Sequence, residues 1–126
     1  PYDYSVIATT NLNGDYISDM AAAMVGGIGM APGANINYQK NIALFEATHG
    51  TAPDIAGQGK ANPGSLILSA ALMLDYLKME KAGLAIRRAL EQVISHRKVT
   101  ADLHRFIPYG ELMSTQKFAE EIGYYL

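Results

Sequence analysis

The chain has 126 residues, the length of one modest domain or of part of a larger one. Apolar residues make up 49% of it and charged residues 17%, so the chain can bury a core and is not disordered. The net charge is −2, with basic and acidic residues intermixed along the chain. This excludes the basic surface that is typical of a protein that binds nucleic acid or an anionic membrane. Without cysteine there is no disulfide, thiolate nucleophile or zinc–thiolate site, and no apolar stretch is long enough to cross a bilayer. We expect a cytoplasmic protein, with the mitochondrial matrix as the alternative location.

The first predicted element is a buried strand over residues 4–9, where β-branched and apolar residues follow one another. Residues 1–4 resemble an entry into the middle of a strand, whereas a free-standing domain usually has a looser terminus. We therefore expect the chain to be the C-terminal part of a longer protein. A helix is predicted next over residues 13–25, and it ends at Gly26 and Gly27.

Two carboxylates stand near the start of this helix. Asp15 and Asp19 are four residues apart, and positions i and i+4 lie on one face of a helix. Paired carboxylates suit a hard divalent cation such as Mg²⁺, which commonly binds one or two of them together with substrate oxygens. Because the preceding strand and Gly14 place the pair at the carboxyl end of a strand, we predict a metal site here. The alternative is that both residues merely complement the dipole of the first helical turn.

The middle of the chain contains a second strand and a long loop. A short apolar segment at residues 28–32 and a turn at residues 33–35 precede a strand predicted over residues 42–47. The loop over residues 48–61 is rich in glycine and proline, and long irregular loops inside compact domains are usually functional or disordered. Within it, Asp54 can accept hydrogen bonds from ribose hydroxyls and would repel a 2′-phosphate, which favours NAD over NADP.

Three helices are predicted in the rest of the chain. Asn62 as N-cap and Pro63 at the first helical position begin a helix over residues 64–77, and its apolar residues on nearly every face indicate burial on all sides. Residues 80–96 form a surface helix with one apolar face, and Ser114 or Thr115 caps the last helix. Strands that alternate with helices predict a layered α/β fold.

Several segments resemble one enzyme family. Residues 11–19, followed by Gly26-Gly27-Ile28-Gly29, resemble the signature of the isocitrate/isopropylmalate dehydrogenase family of β-decarboxylating dehydrogenases. Residues 31–35 and 45–53 are similar to the isocitrate branch, since the isopropylmalate branch typically has proline-valine before the histidine and serine after the glycine. The resemblance covers essentially the whole chain. It implies the α/β/α sandwich of that family, with residues 1–126 as the C-terminal part of its large domain, carrying metal and coenzyme residues.

The resemblance also implies roles for individual residues. It implies that Asp15 and Asp19 bind Mg²⁺ or Mn²⁺, and that the adenosine half of the coenzyme is lined by His49, Gly50, Thr51, Ala52 and Asn62. NADP-type bacterial relatives carry Lys-Tyr in place of Asp54-Ile55 and Tyr in place of Ala101, which favours NAD. Arg105 matches an arginine that NADP-type relatives use near the 2′-phosphate and so favours NADP. We expect NAD, because a carboxylate beside a 2′-phosphate carries a direct repulsive cost.

The implied activity is the oxidative decarboxylation of isocitrate to 2-oxoglutarate and CO₂ in the tricarboxylic acid cycle, with reduction of the coenzyme. The resemblance implies a homodimer formed through portions outside this chain. The catalytic tyrosine and lysine, the groups that hold the substrate carboxylates and a third metal-binding aspartate are expected upstream of Pro1. We therefore assign no catalytic residue here and expect the chain alone to be inactive.

Three alternatives remain open at this point. A 3-isopropylmalate or homoisocitrate dehydrogenase commonly contains a segment like residues 53–57, and the residues that select the substrate are expected upstream. A non-catalytic regulatory subunit of an NAD-linked hetero-oligomer tends to lose its metal carboxylates, so the retention of Asp15 and Asp19 argues against it. A standalone binding fragment is the third alternative, and the upstream sequence would decide it.

Overall fold

A computed structural model describes residues 3–126; Pro1 and Tyr2, part of the predicted entry into a strand, lie outside the described residues. Over the described range the elements follow in the order α1 (Asn11–Met24), β1 (Pro32–Asn37), β2 (Ile42–Ala47), a 3₁₀ helix (Pro53–Ile55), α2 (Gly64–Tyr76), α3 (Glu80–Ser95), β3 (Lys98–Val99), α4 (Ala101–His104), β4 (Glu111–Leu112) and α5 (Thr115–Tyr124). Each helix of this range is too short or too polar to span a membrane.

Strands β1 and β2 form an antiparallel hairpin. Its register runs from Pro32 opposite Ala47 to Asn37 opposite Ile42. The Asn37 side chain closes the turn, because its Oδ1 accepts hydrogen bonds from the backbone N–H groups of Gln39 (3.1 Å) and Lys40 (3.0 Å). The strand predicted over residues 42–47 is confirmed with the same bounds. The turn predicted at residues 33–35 is wrong, since these residues belong to β1.

Helix α2 packs against one face of this hairpin and holds it through two serines. Ser65 and Ser69 are fully buried in a helix that is mostly apolar. The Ser69 hydroxyl donates to the Glu46 carbonyl oxygen (2.7 Å) and accepts from the Gly33 N–H (3.1 Å). Gly33 is required at this crossing, because a Cβ there would lie 2.8 Å from the same carbonyl oxygen. The two serines thus fix the hairpin relative to α2.

The apolar core lies between α2, α3 and α5. Phe118 and Val93 are fully buried, and Leu90 and Ile122 nearly so. Ser114 caps α5 as predicted, since its hydroxyl accepts a hydrogen bond from the Lys117 N–H (3.3 Å). The short parallel pair of β3 and β4 borders this core, and a Lys98–Glu121 ion pair ties β3 to α5.

Two predictions about the chain's apolar segments are wrong. Residues 4–9 form no strand in the described structure and are exposed, because no other strand is available there to satisfy their backbone groups. Helix α2 is not buried on all sides, since Leu66 and Met73 remain 58% and 39% exposed. The helix predicted over residues 13–25 is observed as Asn11–Met24, so it begins two residues earlier and ends one residue earlier. Its one buried residue is Ala22.

Candidate functional site

Helix α1 carries the two predicted metal carboxylates on one face. Because the helix begins at Asn11, Asp15 lies in its second turn and Asp19 one turn further on. Both therefore lie beyond the first turn, where acidic residues complement the helix dipole, so that alternative does not account for them. Residues 4–9, which precede the pair, are described but do not form the predicted strand. The pair is positioned instead by the cleft that α1 lines.

Asp15 and Asp19 line a cleft of about 670 Å³ between α1 and the end of the β1–β2 hairpin, which we call the acidic cleft. Its walls are formed by three acidic side chains together with polar and small residues: Asp15, Ser18, Asp19, Gly33, Ala34, Asn35, Glu46, Ala47, Thr48, His49 and Gly50. The Asn35 amide donates to Glu46 Oε1 (2.9 Å) across the hairpin. No lysine or arginine is among these lining residues, so the cleft favours a cation.

The chemistry of the two aspartates fits Mg²⁺ or Mn²⁺. Oxygen donors suit hard divalent cations, and within residues 3–126 neither Asp15 nor Asp19 takes part in an ion pair. The described residues contain no group of three or more histidine, aspartate or glutamate side chains arranged to hold a metal. The pair can therefore supply two ligands, and the others must come from water, substrate or other parts of the protein.

A second cleft, of about 480 Å³, shares His49 and Gly50 with the acidic cleft, and we call it the apolar cleft. Small and aliphatic residues dominate its walls, with few polar groups: Ile28, Gly29, His49, Gly50, Ala52, Ile55, Lys60, Ala61, Asn62, Ala101 and Asp102. An apolar slot with a few convergent polar groups is typical of a site for a flat organic ligand.

The segment between the clefts is held on both sides. The Thr48 hydroxyl donates to the Ala31 carbonyl oxygen (2.8 Å), and the Thr48 N–H donates to the Ser65 hydroxyl (3.2 Å). His49 Nδ1 donates to the Gly50 carbonyl oxygen (2.9 Å), which fixes the ring beside its own backbone. Further on, Ala52 adopts a left-handed backbone (φ 43°) as the chain turns into the 3₁₀ helix. These hydrogen bonds thus fix the backbone that the two clefts share.

Asn62 is 6% exposed and uses its side chain internally. Its Oδ1 accepts from the N–H of Gly64 (2.8 Å), the first residue of α2, which begins at Gly64 as predicted. The N-cap position itself is occupied by Pro63, not by Asn62 as predicted. Asn62 Nδ2 donates to Asp102 Oδ2 (2.9 Å). The amide is therefore engaged through both its oxygen and its nitrogen.

The structure brings together five of the eight predicted coenzyme residues around the apolar cleft, namely His49, Gly50, Ala52, Ile55 and Asn62. Thr51 lines a smaller depression on the other face of the same loop. Asp54 is exposed on the 3₁₀ helix and is not among the lining residues. Arg105 is also outside the lining, with its guanidinium carbon 4.5 Å from the centre of the Phe106 ring.

Sequence reasoning missed several lining residues. Lys60 and Asp102 line the apolar cleft, although sequence reasoning assigned a role to neither. A signal for Asp102 was available, since Thr100 followed by an acidic residue two positions on is typical of a helix start. Glu46 and Asn35 face the acidic cleft because of the hairpin pairing, which no local pattern indicated.

Comparison with known proteins identifies the family. The model of the isocitrate/isopropylmalate dehydrogenase family matches residues 1–122. The chain belongs to the isocitrate/isopropylmalate dehydrogenase family. Among curated members, the isocitrate dehydrogenase [NADP] of Staphylococcus aureus is 53% identical over 122 residues, covering 97% of this chain and 29% of that protein. The isocitrate dehydrogenase [NADP] of Streptococcus mutans is 51% identical over the full 126 residues, which cover 32% of it.

Solved structures of isocitrate/isopropylmalate dehydrogenases share the fold. Isocitrate dehydrogenase from Methylococcus capsulatus superposes with a TM-score of 0.84 at 44% identity, over 93% of this chain and 33% of that one. A β-decarboxylating dehydrogenase from Thermococcus kodakarensis gives 0.80 at 40% identity, over 99% and 35%. The α/β fold that was predicted for this chain is confirmed. The chain spans about a third of the length of the family members it matches.

Proposed function

We propose that the chain is the metal- and coenzyme-binding portion of an enzyme that oxidatively decarboxylates isocitrate to 2-oxoglutarate and CO₂ with a nicotinamide coenzyme. The observation that carries this proposal is the pair of clefts that share His49 and Gly50. A hydride transfer needs substrate and coenzyme side by side in fixed geometry. One acidic cleft and one apolar cleft with a common, hydrogen-bonded wall meet that need.

In the acidic cleft, Asp15 and Asp19 would hold a divalent cation from consecutive turns of α1. When bound, Mg²⁺ or Mn²⁺ supplies electrostatic stabilisation of the negative charge that develops on the substrate's 2-hydroxyl oxygen and neighbouring carboxylate. The two aspartates anchor the ion and orient the substrate through it, and they do not shuttle protons. Proton transfer falls to groups outside this chain, which we propose to be the tyrosine and lysine of the family.

The domain assignment follows from the same proposal. We propose that residues 1–126 form the C-terminal part of the large domain, as the resemblance of their segments to the family implies, and the chain covers 29% of the Staphylococcus aureus relative. The homodimer and the cytoplasmic location expected from the sequence stay predictions. Exposed apolar residues on α1, such as Tyr16 and Met24, are consistent with burial against further parts of the protein.

For the coenzyme we propose NAD, although the relatives named above are designated NADP. Ile55 and Ala101 give the apolar cleft no group that favours a phosphate, and Arg105 packs on Phe106. Lys60 is the one cation among the cleft's lining residues in the described structure, and Asp102 lies in the same lining. Asp54 adds negative charge to the 3₁₀ helix beside Ile55. The carboxylates of Asp54 and Asp102 disfavour the two extra negative charges of a 2′-phosphate.

Comparing kcat/KM for NAD and NADP in the whole protein tests the coenzyme. We expect NAD to be preferred, and the double substitution of Asp54→Lys with Ile55→Tyr to shift the preference toward NADP, because a cation replaces a like charge near the added phosphate. Glu91→Gln, on the exposed face of α3, is the matched control and should leave the ratio unchanged. A preference for NADP in the unmodified protein would overturn the assignment and favour Arg105 or Lys60 as the phosphate contact.

The reaction itself is tested by offering the whole protein isocitrate, 3-isopropylmalate and homoisocitrate separately with Mg²⁺. We expect 2-oxoglutarate and reduced coenzyme from isocitrate. Turnover of one of the other substrates alone would favour that dehydrogenase. A whole protein that binds the coenzyme but turns over none of the three would favour a regulatory subunit.

A further inference from the structure

Asp102 is the acidic group of the apolar cleft, whose other walls are largely aliphatic. We propose that Asp102 determines the specificity of this cleft for a base with an exocyclic amine, so that adenine is accepted and hypoxanthine, which carries a carbonyl at the same position, is disfavoured. This inference rests on the proposed function, because it takes the apolar cleft as the site of the adenosine half of the coenzyme.

The Asp102 carboxylate is held in place by two internal donors. The fully buried Thr100 hydroxyl donates to its Oδ1 (2.6 Å), and Asn62 Nδ2 donates to its Oδ2 (2.9 Å). Gly29 lies against the same pair, since a Cβ on it would be 3.0 Å from Asp102 Oδ2. Within residues 3–126 the carboxylate has no ion-pair partner. Its position is therefore set before any ligand enters.

Two hydrogen bonds do not fill the acceptor capacity of a carboxylate. Its two oxygens offer about four lone-pair sites and no donor, so about two sites are left to accept from a ligand. An amine on the edge of a base can donate to them, whereas a carbonyl oxygen would meet a second acceptor. A site that offers acceptors to an N–H group discriminates against an analogue with a carbonyl at that position, because the lone pairs of two acceptors would face each other.

The neighbouring amide cannot perform this recognition. Asn62 has its Oδ1 committed to the Gly64 N–H and its Nδ2 to Asp102. The walls contributed by Ile28, Ile55 and Ala101 are apolar and recognise the faces of a ring rather than its edge. Among the side chains that line this cleft, Asp102 is therefore the one whose carboxylate lone pairs can distinguish an amine from a carbonyl.

Calorimetric binding of AMP and IMP to the whole protein tests the inference without requiring turnover. We expect AMP to bind about 10- to 100-fold more tightly than IMP, the range of one hydrogen bond to a charged group. Asp102→Asn should abolish this preference or reverse it. The new amide can satisfy Asn62 through its oxygen and Thr100 through its nitrogen, which leaves an N–H that suits the carbonyl of IMP.

Thr100→Val is the matched variant for a purely structural role. It removes one internal donor but keeps the carboxylate, so it should weaken AMP and IMP alike and preserve their ratio. In the unmodified protein, NAD and its hypoxanthine analogue should differ in KM with similar kcat, because the base lies far from the transferred hydride. The unmodified protein alone gives both ratios, so a variant that fails to fold does not decide the test.

Equal binding of AMP and IMP, binding of neither, or a preference that survives Asp102→Asn would overturn the inference. Failure of the proposed function is a separate result. A protein that oxidises isocitrate but uses NAD and its hypoxanthine analogue equally would contradict only the role of Asp102. A protein that prefers AMP through Asp102 but oxidises no substrate would contradict only the reaction.

Discussion

At the scale of single residues, the site depends on side chains that the fold leaves uncommitted. Asp15 and Asp19 have no ion-pair partner among residues 3–126, and both line the acidic cleft. The side chain of Asn62, in contrast, accepts a hydrogen bond from the Gly64 N–H and donates one to Asp102. Residues of the first kind are available to a ligand, and those of the second kind position the backbone around it.

Asp19→Asn in the whole protein should raise the Mg²⁺ concentration needed for half-maximal activity and lower kcat. The loss should exceed the roughly 10- to 100-fold that follows when a metal ligand merely loses its hydrogen-bonded partner, because here a ligand's charge is removed. The affinity for NAD should change little, since the apolar cleft does not include Asp19. Steady-state kinetics over a Mg²⁺ series measure both quantities, with Glu91→Gln as control. An unchanged metal dependence would contradict the assignment.

At the scale of elements, the sequence predicted those whose signals are local. Strand β2 and the capped start of α5 have a clear apolar pattern or a capping residue, and the structure confirms both. Strand β1 was missed because Gly33 and Asn35 are typical of turns, and its conformation depends on pairing with β2. The strand predicted over residues 4–9 failed for the converse reason: its pattern is right, but the described structure offers it no partner.

The site shows the same division. Asp15 and Asp19 share a face because of helical spacing alone, so sequence reasoning could pair them. Glu46 reaches the acidic cleft through the hairpin register, and Asp102 reaches the apolar cleft through the packing of α4 near the start of α2. Contacts between residues distant in sequence, such as Asn62 and Asp102, have no local pattern.

The contact between α2 and the β1–β2 hairpin gives an element-scale prediction. Ser69→Ala should lower the free energy of unfolding by about 1–3 kcal/mol, because the Gly33 N–H and the Glu46 carbonyl lose a buried partner. Urea denaturation measures the change. Ser95→Ala is the control, since Ser95 is exposed at the end of α3, and it should stay within about 0.5 kcal/mol of the unmodified protein. Equal effects of the two substitutions would contradict the role of Ser69.

The Lys98–Glu121 pair that joins β3 to α5 gives a prediction in pH. The hydrogen bond from Lys98 to Glu121 raises the pKa of the lysine above its usual value of 10.5. A folded-state pKa that is higher than the unfolded one adds stability at lower pH, and this stability is lost as pH rises through the folded value. The difference in stability between the unmodified protein and Lys98→Met should therefore be constant from neutral pH to about pH 10 and shrink above it.

Thermal or urea unfolding over this pH range measures that difference. Lys81→Met is the matched control, because Lys81 is exposed on α3 and forms no ion pair within the described residues. Its difference from the unmodified protein should show no comparable change above pH 10. A Lys98→Met difference that does not shrink at high pH would indicate that the pair contributes nothing through its charge.

At the scale of the whole molecule, α1 and β2 leave several large apolar side chains of the described chain uncovered. Helix α1 exposes Tyr16 (68%) and Met24 (78%), the residue after it, Val25, is 67% exposed, and β2 exposes Ile42 and Leu44. Exposed apolar surface of this kind marks an interaction site or a tendency to aggregate. The match to about a third of longer relatives is consistent with contacts to further parts of the protein.

Residues 1–126 produced on their own should therefore bind a hydrophobic dye or self-associate, and should not oxidise isocitrate. Replacing Met24 and Val25 together by lysine should reduce dye binding, because the charges interrupt the apolar surface. Fluorescence and sedimentation measure both properties, and replacing Glu91 by lysine serves as a charge control on the exposed face of α3. A monodisperse, cooperatively melting monomer without dye binding would show that these residues form a self-sufficient domain.

The most direct test of the central claim is the oxidation of isocitrate by the whole protein, followed through reduced coenzyme and 2-oxoglutarate, with Mg²⁺ and after its removal by a chelator. We expect one 2-oxoglutarate and one CO₂ per coenzyme reduced, loss of activity on chelation and recovery when Mg²⁺ or Mn²⁺ is restored. The account would be contradicted by an absence of isocitrate turnover with either coenzyme, or by turnover that chelation leaves unchanged.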